Sequence, residues 1–194
     1  MPVVYAAGVL RGLVLAALQN AAASLNAALV AAGAAAGTSV FIDSPGDTST
    51  APEQLPALLV RSGIQIKRQL SKGALIFEST IQIALQAQLV AETEQLAQAQ
   101  IEAMGSVIEP ALLTDPVLSG IVEQWVELRE EVTITSATEQ HNAELTMSVG
   151  MQIAEGPNWG LTGVPLTEIQ VNSTAANPDG SYPVLSVDIT NLNS

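Results

Sequence analysis

The chain has 194 residues, of which 48% are hydrophobic and only 3% aromatic, so it can bury a sizeable core but must build it from Ala, Val, Leu and Ile. It has no Cys and a single His, His141, which excludes disulfides, thiolate metal sites, cysteine nucleophiles and poly-His metal centres. Six basic residues stand against nineteen acidic ones, a net charge of −13, and an acidic surface of that kind argues against general nucleic-acid binding by the outside of the molecule.

Residues 3–32 read as one long helix. Leu10, Leu13, Val14, Leu18, Leu25 and Leu29 recur at helical spacing, and Ala, the best helix former, fills most other positions. Gly33 and Gly37 end it. The Ala-rich run has the look of a signal peptide, yet Arg11 is the only cation before Arg61, so the basic leader of such a peptide is missing. Gln19, Asn20, Ser24 and Asn26 argue against a membrane span. Residues 38–43, TSVFID, form a short strand, and 44–56, SPGDTSTAPEQLP, a loop. Asp43 and Asp47 in that region fit turn chemistry better than a metal site, because no further ligands follow at useful spacing.

Two strands come next. Across 58–70, Leu58, Val60, Ile64 and Ile66 alternate with Arg61, Gln65 and Lys67, which predicts one wet face carrying Arg61 and Lys67. Across 75–89 the alternation is the clearest in the chain, with Phe77, Ile81, Ile83, Leu85 and Leu89 against Glu78, Thr80, Gln82, Gln86 and Gln88. The strands are long enough that part of the hairpin is expected to project.

Two helices follow. Residues 92–109 carry Leu96, Ile101, Met104 and Ile108 on one side and are expected to stop at Pro110, with Glu92 and Glu94 in the first turn, where the helix dipole favours acids. Asp115-Pro116 is a start signal for a second helix, whose buried stripe would be Val117, Leu118, Ile121, Trp125 and Leu128. That helix would put Glu123 and Glu127 on one face. Residues 132–136 and 143–154 are strand candidates, and His141 in TEQHNAE reads as a solvated loop histidine. Past Gly156 the texture changes. TEIQV and PVLSVDI flank the turn NPDG, so 156–194 is expected to be an extra hairpin or an arm on a neighbouring subunit, beside a main domain of residues 1–155. Asn172-Ser173-Thr174 fits a glycosylation sequon, with nothing else pointing to a secretory route. The order of elements predicts an α+β fold: an antiparallel or mixed sheet with a long projecting hairpin, flanked by an N-terminal helix and a helix pair.

The chain carries no phosphate-cradling G-x-x-x-x-G-K-[ST] loop, no G-x-G-x-x-G, no H-E-x-x-H and no G-x-S-x-G. No nucleophile, metal or cofactor site stands out, so the expectation is a protein that is not an enzyme and needs no cofactor. The informative feature is the distribution of charge. Residues 1–80 hold five cations and four acids, whereas 81–194 hold Arg129 against fifteen acids. Four of the six cations, Arg61, Lys67, Arg68 and Lys72, sit in VRSGIQIKRQLSKG. They either contact another molecule or keep a strand edge soluble and closed to strand addition.

Three stretches, QLPALLV (54–60), FESTIQIALQAQ (77–88) and TEQLAQAQIEAM (93–104), fall in a set order: long N-terminal helix, short strand, loop, long hairpin, paired helices split at a Pro, then a final alternating strand. In order and texture, residues 3–153 resemble the tail terminator (minor tail protein U-like) family of long-tailed bacteriophages. The Ala-rich first helix and the extension after Gly156 lie outside a minimal member of that family. The resemblance implies a structural virion protein at the neck end of the tail, assembled in the host cytoplasm. It would form a ring, six-fold in this family, that caps the tail tube and ends its polymerisation. Its partners would be other copies of itself, the tube protein, a neck or head-completion protein and, in passing, DNA moving through the channel, with no membrane. On that reading Arg61, Lys67, Arg68 and Lys72 meet a neighbouring subunit, the tube or DNA. Glu92, Glu94, Glu102, Glu123 and Glu127 are the acidic partner face. The alternatives are a neck or head–tail connector and a secreted adhesion module.

Overall fold

The computed structural model describes residues 6–44, 54–70, 77–137, 140–155, 169–172 and 184–187. The N-terminal run forms two helices rather than one, α1 (Ala6–Asn20) and α2 (Ala22–Ala31), bent by 52° about Ala21. Neither is long and apolar enough to cross a membrane by itself; among the described residues the bent pair alone passes that test, by length and composition. The bend lets Leu10, Val14 and Leu18 of α1, and Leu25 and Leu29 of α2, all reach the same core. Burial of Leu25 and Leu29 thus wins over helix continuity. Gly33, with φ 93°, and Gly37, with φ 90°, turn the chain after α2 in backbone conformations that other residues rarely adopt. Asn26 Oδ1 then accepts the Val40 N–H at 2.8 Å, tying α2 to the start of β1 (Phe41–Asp43).

The α+β architecture expected from the sequence is present. A five-stranded sheet has the order β1-β2-β3-β5-β4, with β2 (Ala57–Gln69), β3 (Phe77–Ala91), β4 (Gln124–Ala137) and β5 (Gln140–Glu155). β1 runs parallel to β2 and all other neighbours are antiparallel, so the sheet is mixed. The long β2–β3 hairpin is there, and β5 runs along the other side of β3 for its whole length, from Phe77 opposite Glu155 to Ala91 opposite His141. One face is apolar: Ile81, Ile83, Leu85 and Leu89 of β3 and Leu145, Met147, Val149, Met151 and Ile153 of β5 are buried under helices. α1 packs on β1, β2 and β3, and α3 on β3, β5 and β4. Gly105 of α3 is buried, and a Cβ there would lie 3.3 Å from Leu145 Cδ2, so its lack of a side chain lets helix and sheet approach closely.

α3 (Glu94–Leu113) starts two residues later than the expected Glu92 and runs past Pro110. Thr93 is the cap, its Oγ1 accepting the Leu96 N–H at 3.2 Å, so Glu92 lies outside the first turn. Pro110 sits in the last turn, where the missing N–H removes a single bond, and the buried Leu112 holds that turn in place. Asp115 caps α4 (Pro116–Ile121) as its sequence predicts, Oδ1 accepting the Val117 and Leu118 N–H groups at 2.9 Å. α4 ends at Ile121, however, and Trp125 and Leu128 belong to β4. There Trp125 pairs with Met151 and Leu128 with Val149 of β5, so a ladder along a neighbouring strand takes the place of the expected helical stripe, with Trp125 half-buried and Leu128 left exposed. The chain divides into two compact units, Val4–Pro157 and Asn158–Ser194 with Met1–Val3. In the second, β6 (Ile169–Asn172) pairs antiparallel with β7 (Val184–Val187).

Candidate functional site

The sheet has two edges, and they carry opposite charge. The first is β2 beyond Leu59. β1 pairs with Ala57, Leu58 and Leu59, and from there onward β3 is the strand neighbour of β2 among the described residues. Its register shifts between Ser62 and Gln65, a β-bulge. Gly63 lies in the bulge, and a Cβ there would come within 2.9 Å of the Gln82 carbonyl oxygen.

The bulge overturns the single wet face expected for this strand. Before it, Leu58 and Val60 lie on the helix side and Arg61 on the other, opposite Ala84. After it the alternation is inverted: Lys67 lies opposite Ser79 on the helix side, while Ile66 and Arg68 lie opposite Thr80 and Glu78 on the outer side. Arg61 and Arg68 therefore share a face and Lys67 is on the other. One inserted residue moves every later side chain across the sheet, and the period-2 count had no means of registering it. Arg61 is half-buried, Lys67 and Arg68 are exposed, and Arg61 and Lys67 each interact with other groups of the chain. Lys72 lies outside the described residues. Sequence reasoning missed the exposed aliphatics here: Ile64 and Ile66 are each 63% exposed and Leu70 54%.

The second edge is β4. The expected common face of Glu123 and Glu127 does not exist, because α4 ends before them: Glu123 is in the connection, with its N–H on the Gln152 carbonyl at 2.9 Å, and Glu127 is in β4. Glu127 lies on the outer face, where its Oε2 accepts from Gln82 Nε2 at 3.1 Å. Glu130 and Glu131, also exposed, add to the same edge; Arg129 is the one cation in β4 and pairs with Glu131 at 3.6 Å. Exposed Val126, Leu128 and Val132 are interspersed with them. A second bulge, between Trp125 and Glu127, sits across from Gly150, whose absent Cβ would be 2.9 Å from Val126 Cγ2. The remaining acids of the expected partner face are elsewhere: Glu92 precedes α3, and Glu94 and Glu102 lie exposed on it, Glu102 accepting from the Gln98 side-chain amide. The eight described charges thus fall into three groups, with Glu123 and Glu127 apart from the acids on and before α3.

The outer face between the edges is polar. Gln86 Nε2 donates to Glu144 Oε1 at 2.8 Å, and Gln88 Nε2 to Glu144 Oε2 at 3.4 Å. His141 is not in a loop: it is the second residue of β5, opposite Ser136 of β4, whose Oγ lies 2.9 Å from Nδ1. Ser136 is exposed, so this cross-strand pair sits at an open hairpin end. Among the described residues no three His, Asp or Glu side chains are placed to hold a metal ion. A cavity of about 390 Å³ where α2 ends beside β3 is lined by Leu29, Ala34, Leu89 and Leu96, with Glu92 as its charged group.

No protein-family model matches the chain, and no curated protein matches it. Among solved structures, a chain from the "Virion of native gene transfer agent (GTA) particle" is similar over 67% of this chain and 96% of its own length, at 14% identity and a TM-score of 0.31. A likeness of that size carries no argument about function.

Proposed function

We propose that the chain is a structural virion protein that forms a ring on the end of a phage tail tube, stops tube polymerisation and joins the tail to the neck. The supporting observation is a sheet whose two edges are opposite in charge, on a chain whose element order resembles tail terminators. Such a role needs interfaces and a channel, not turnover, and the protein is read as non-catalytic. The six-fold count, the tube and neck proteins as partners, and passing contact with DNA come from the resemblance. The test is a tube-growth assay with tube subunits of the same virus, imaged by electron microscopy. Added protein should cap the tubes and shorten their length distribution. Tubes that grow unchanged with no bound cap would remove the terminator reading and bring the neck-connector reading forward.

A further inference from the structure

We propose that two copies of the chain pair through their β4 edges, antiparallel and about a twofold axis at Glu130, so that the two sheets continue into one another. The contact goes beyond the ring reading and does not depend on it: an isologous pair closes at two copies, whereas a ring is built from head-to-tail contacts.

Three observations carry it. First, β4 is the last strand of its sheet, with β5 as its strand neighbour among the described residues, and all of residues 127–133 are exposed. Second, this edge carries more than solubilising charge. Leu128 and Val132 remain 40% and 39% exposed on the helix side, where they flank Glu130 and lie opposite the buried Val149 and Leu145 of β5. Third, its outer side complements itself. Arg129 and Glu131 stand there on either side of Glu130 in the chain, opposite Ser148 and Thr146, and a half-turn about Glu130 exchanges them.

The faces fix the register. Side chains directly opposite in an antiparallel ladder share a face, so a twofold axis normal to the sheet passes through a residue and not between two. Centred on Glu130, the ladder sets Arg129 against the partner's Glu131 on the outer side and Leu128 against the partner's Val132 on the helix side, each pair occurring twice. Thr133 meets the partner's Glu127 at the ends. Other centres lose this match. On Arg129, that cation faces its own copy and Glu127 faces Glu131. On Glu131, Glu130 falls against Val132, and on Val132 it falls against Ile134. On Leu128, the ladder runs at once into the bulge between Trp125 and Glu127, whereas residues 127–137 follow β5 without a break. The cost at the favoured centre is Glu130 against its own copy, at an exposed site where water screens the repulsion. The chain's own residues 157–194 are a poorer occupant of this edge, because they hold no cation to meet Glu127, Glu130 and Glu131.

The absence of cysteine makes the contact readable. Full-length chains bearing Glu130→Cys, or Thr135→Cys as the control, are oxidised mildly. Sedimentation then follows self-association of the wild-type, Arg129→Glu, Glu131→Arg and Arg129→Glu/Glu131→Arg chains. The Glu130→Cys chain should link to its own copy, because opposite Cβ atoms on the axis lie about 4.5–5.5 Å apart. The Thr135→Cys chain should link far more slowly, since its two cysteines would be about ten residues, roughly 34 Å, apart along the ladder. Each single reversal sets like charges opposite at two places and should weaken dimerisation about tenfold, and the double exchange in one chain should restore it. Circular dichroism of each variant separates lost pairing from lost folding. Equal linking by the two cysteine chains, a dimer indifferent to the single reversals, or a folded double exchange that stays weak overturns the β4 contact. A wild-type chain that stays monomeric at high concentration overturns it too. The tube-growth assay decides the ring reading separately from all of these.

Discussion

Gly63 occupies a position in β2 where the facing backbone comes too close for a side chain, 2.9 Å from a Cβ to the Gln82 oxygen. Gly63→Ala should lower stability by about 1–3 kcal/mol, because backbone rather than a flexible side chain must move; thermal denaturation measures it, and an unchanged melting temperature would mean the bulge is soft. Ser79 presents the opposite case. It is fully buried in β3, and its hydroxyl has no hydrogen-bond partner. Ser79→Ala removes an unsatisfied group at little cost in packing, so it should be neutral or stabilising by about 1 kcal/mol in chemical denaturation. A loss of that size instead would reveal a partner for the hydroxyl.

At the scale of elements, Asp115 holds α4 through two N–H groups, and Asp115→Ala should cost about 1 kcal/mol, read as a shift in the denaturation midpoint. That cap was legible in the sequence because its chemistry is local: an acceptor, a proline at the first helical position and an apolar run. The alternation of β3 and β5 was legible for the same reason, since a strand with helices over one face records that face every second residue. What escaped the sequence was decided at a distance. The break between α1 and α2 serves the shared burial of Leu18 and Leu25, which alanine spacing does not encode. The 124–137 stretch is a strand because β5 lies beside it, although its first residues fit a helical stripe equally well. The candidate site was legible as composition, four cations crowded into fourteen residues, but not as geometry. The bulge at Ser62–Gln65 divides Lys67 from Arg61 and brings Arg68 to the face of Arg61, and the end of α4 moves Glu127 into the sheet.

For the whole molecule, the proposed ring makes a further expectation about salt, because cations and acids would meet across its subunits. Raising ionic strength shortens the screening length from roughly 10 Å at 0.1 M to about 3 Å at 1 M, so the assembly should loosen across that range while the fold, held by the aliphatic core, stays intact. Sedimentation at several salt concentrations, with circular dichroism alongside, separates the two. The central claim is that copies of this chain build a closed assembly, by themselves or on a tube end, and the mass of the native protein in dilute solution, alone and again with tube subunits of the same virus, tests it most directly. The account predicts one discrete oligomer of fixed subunit number, either free or formed when the tube is present. A monomer whose mass is the same with and without the tube protein would contradict it.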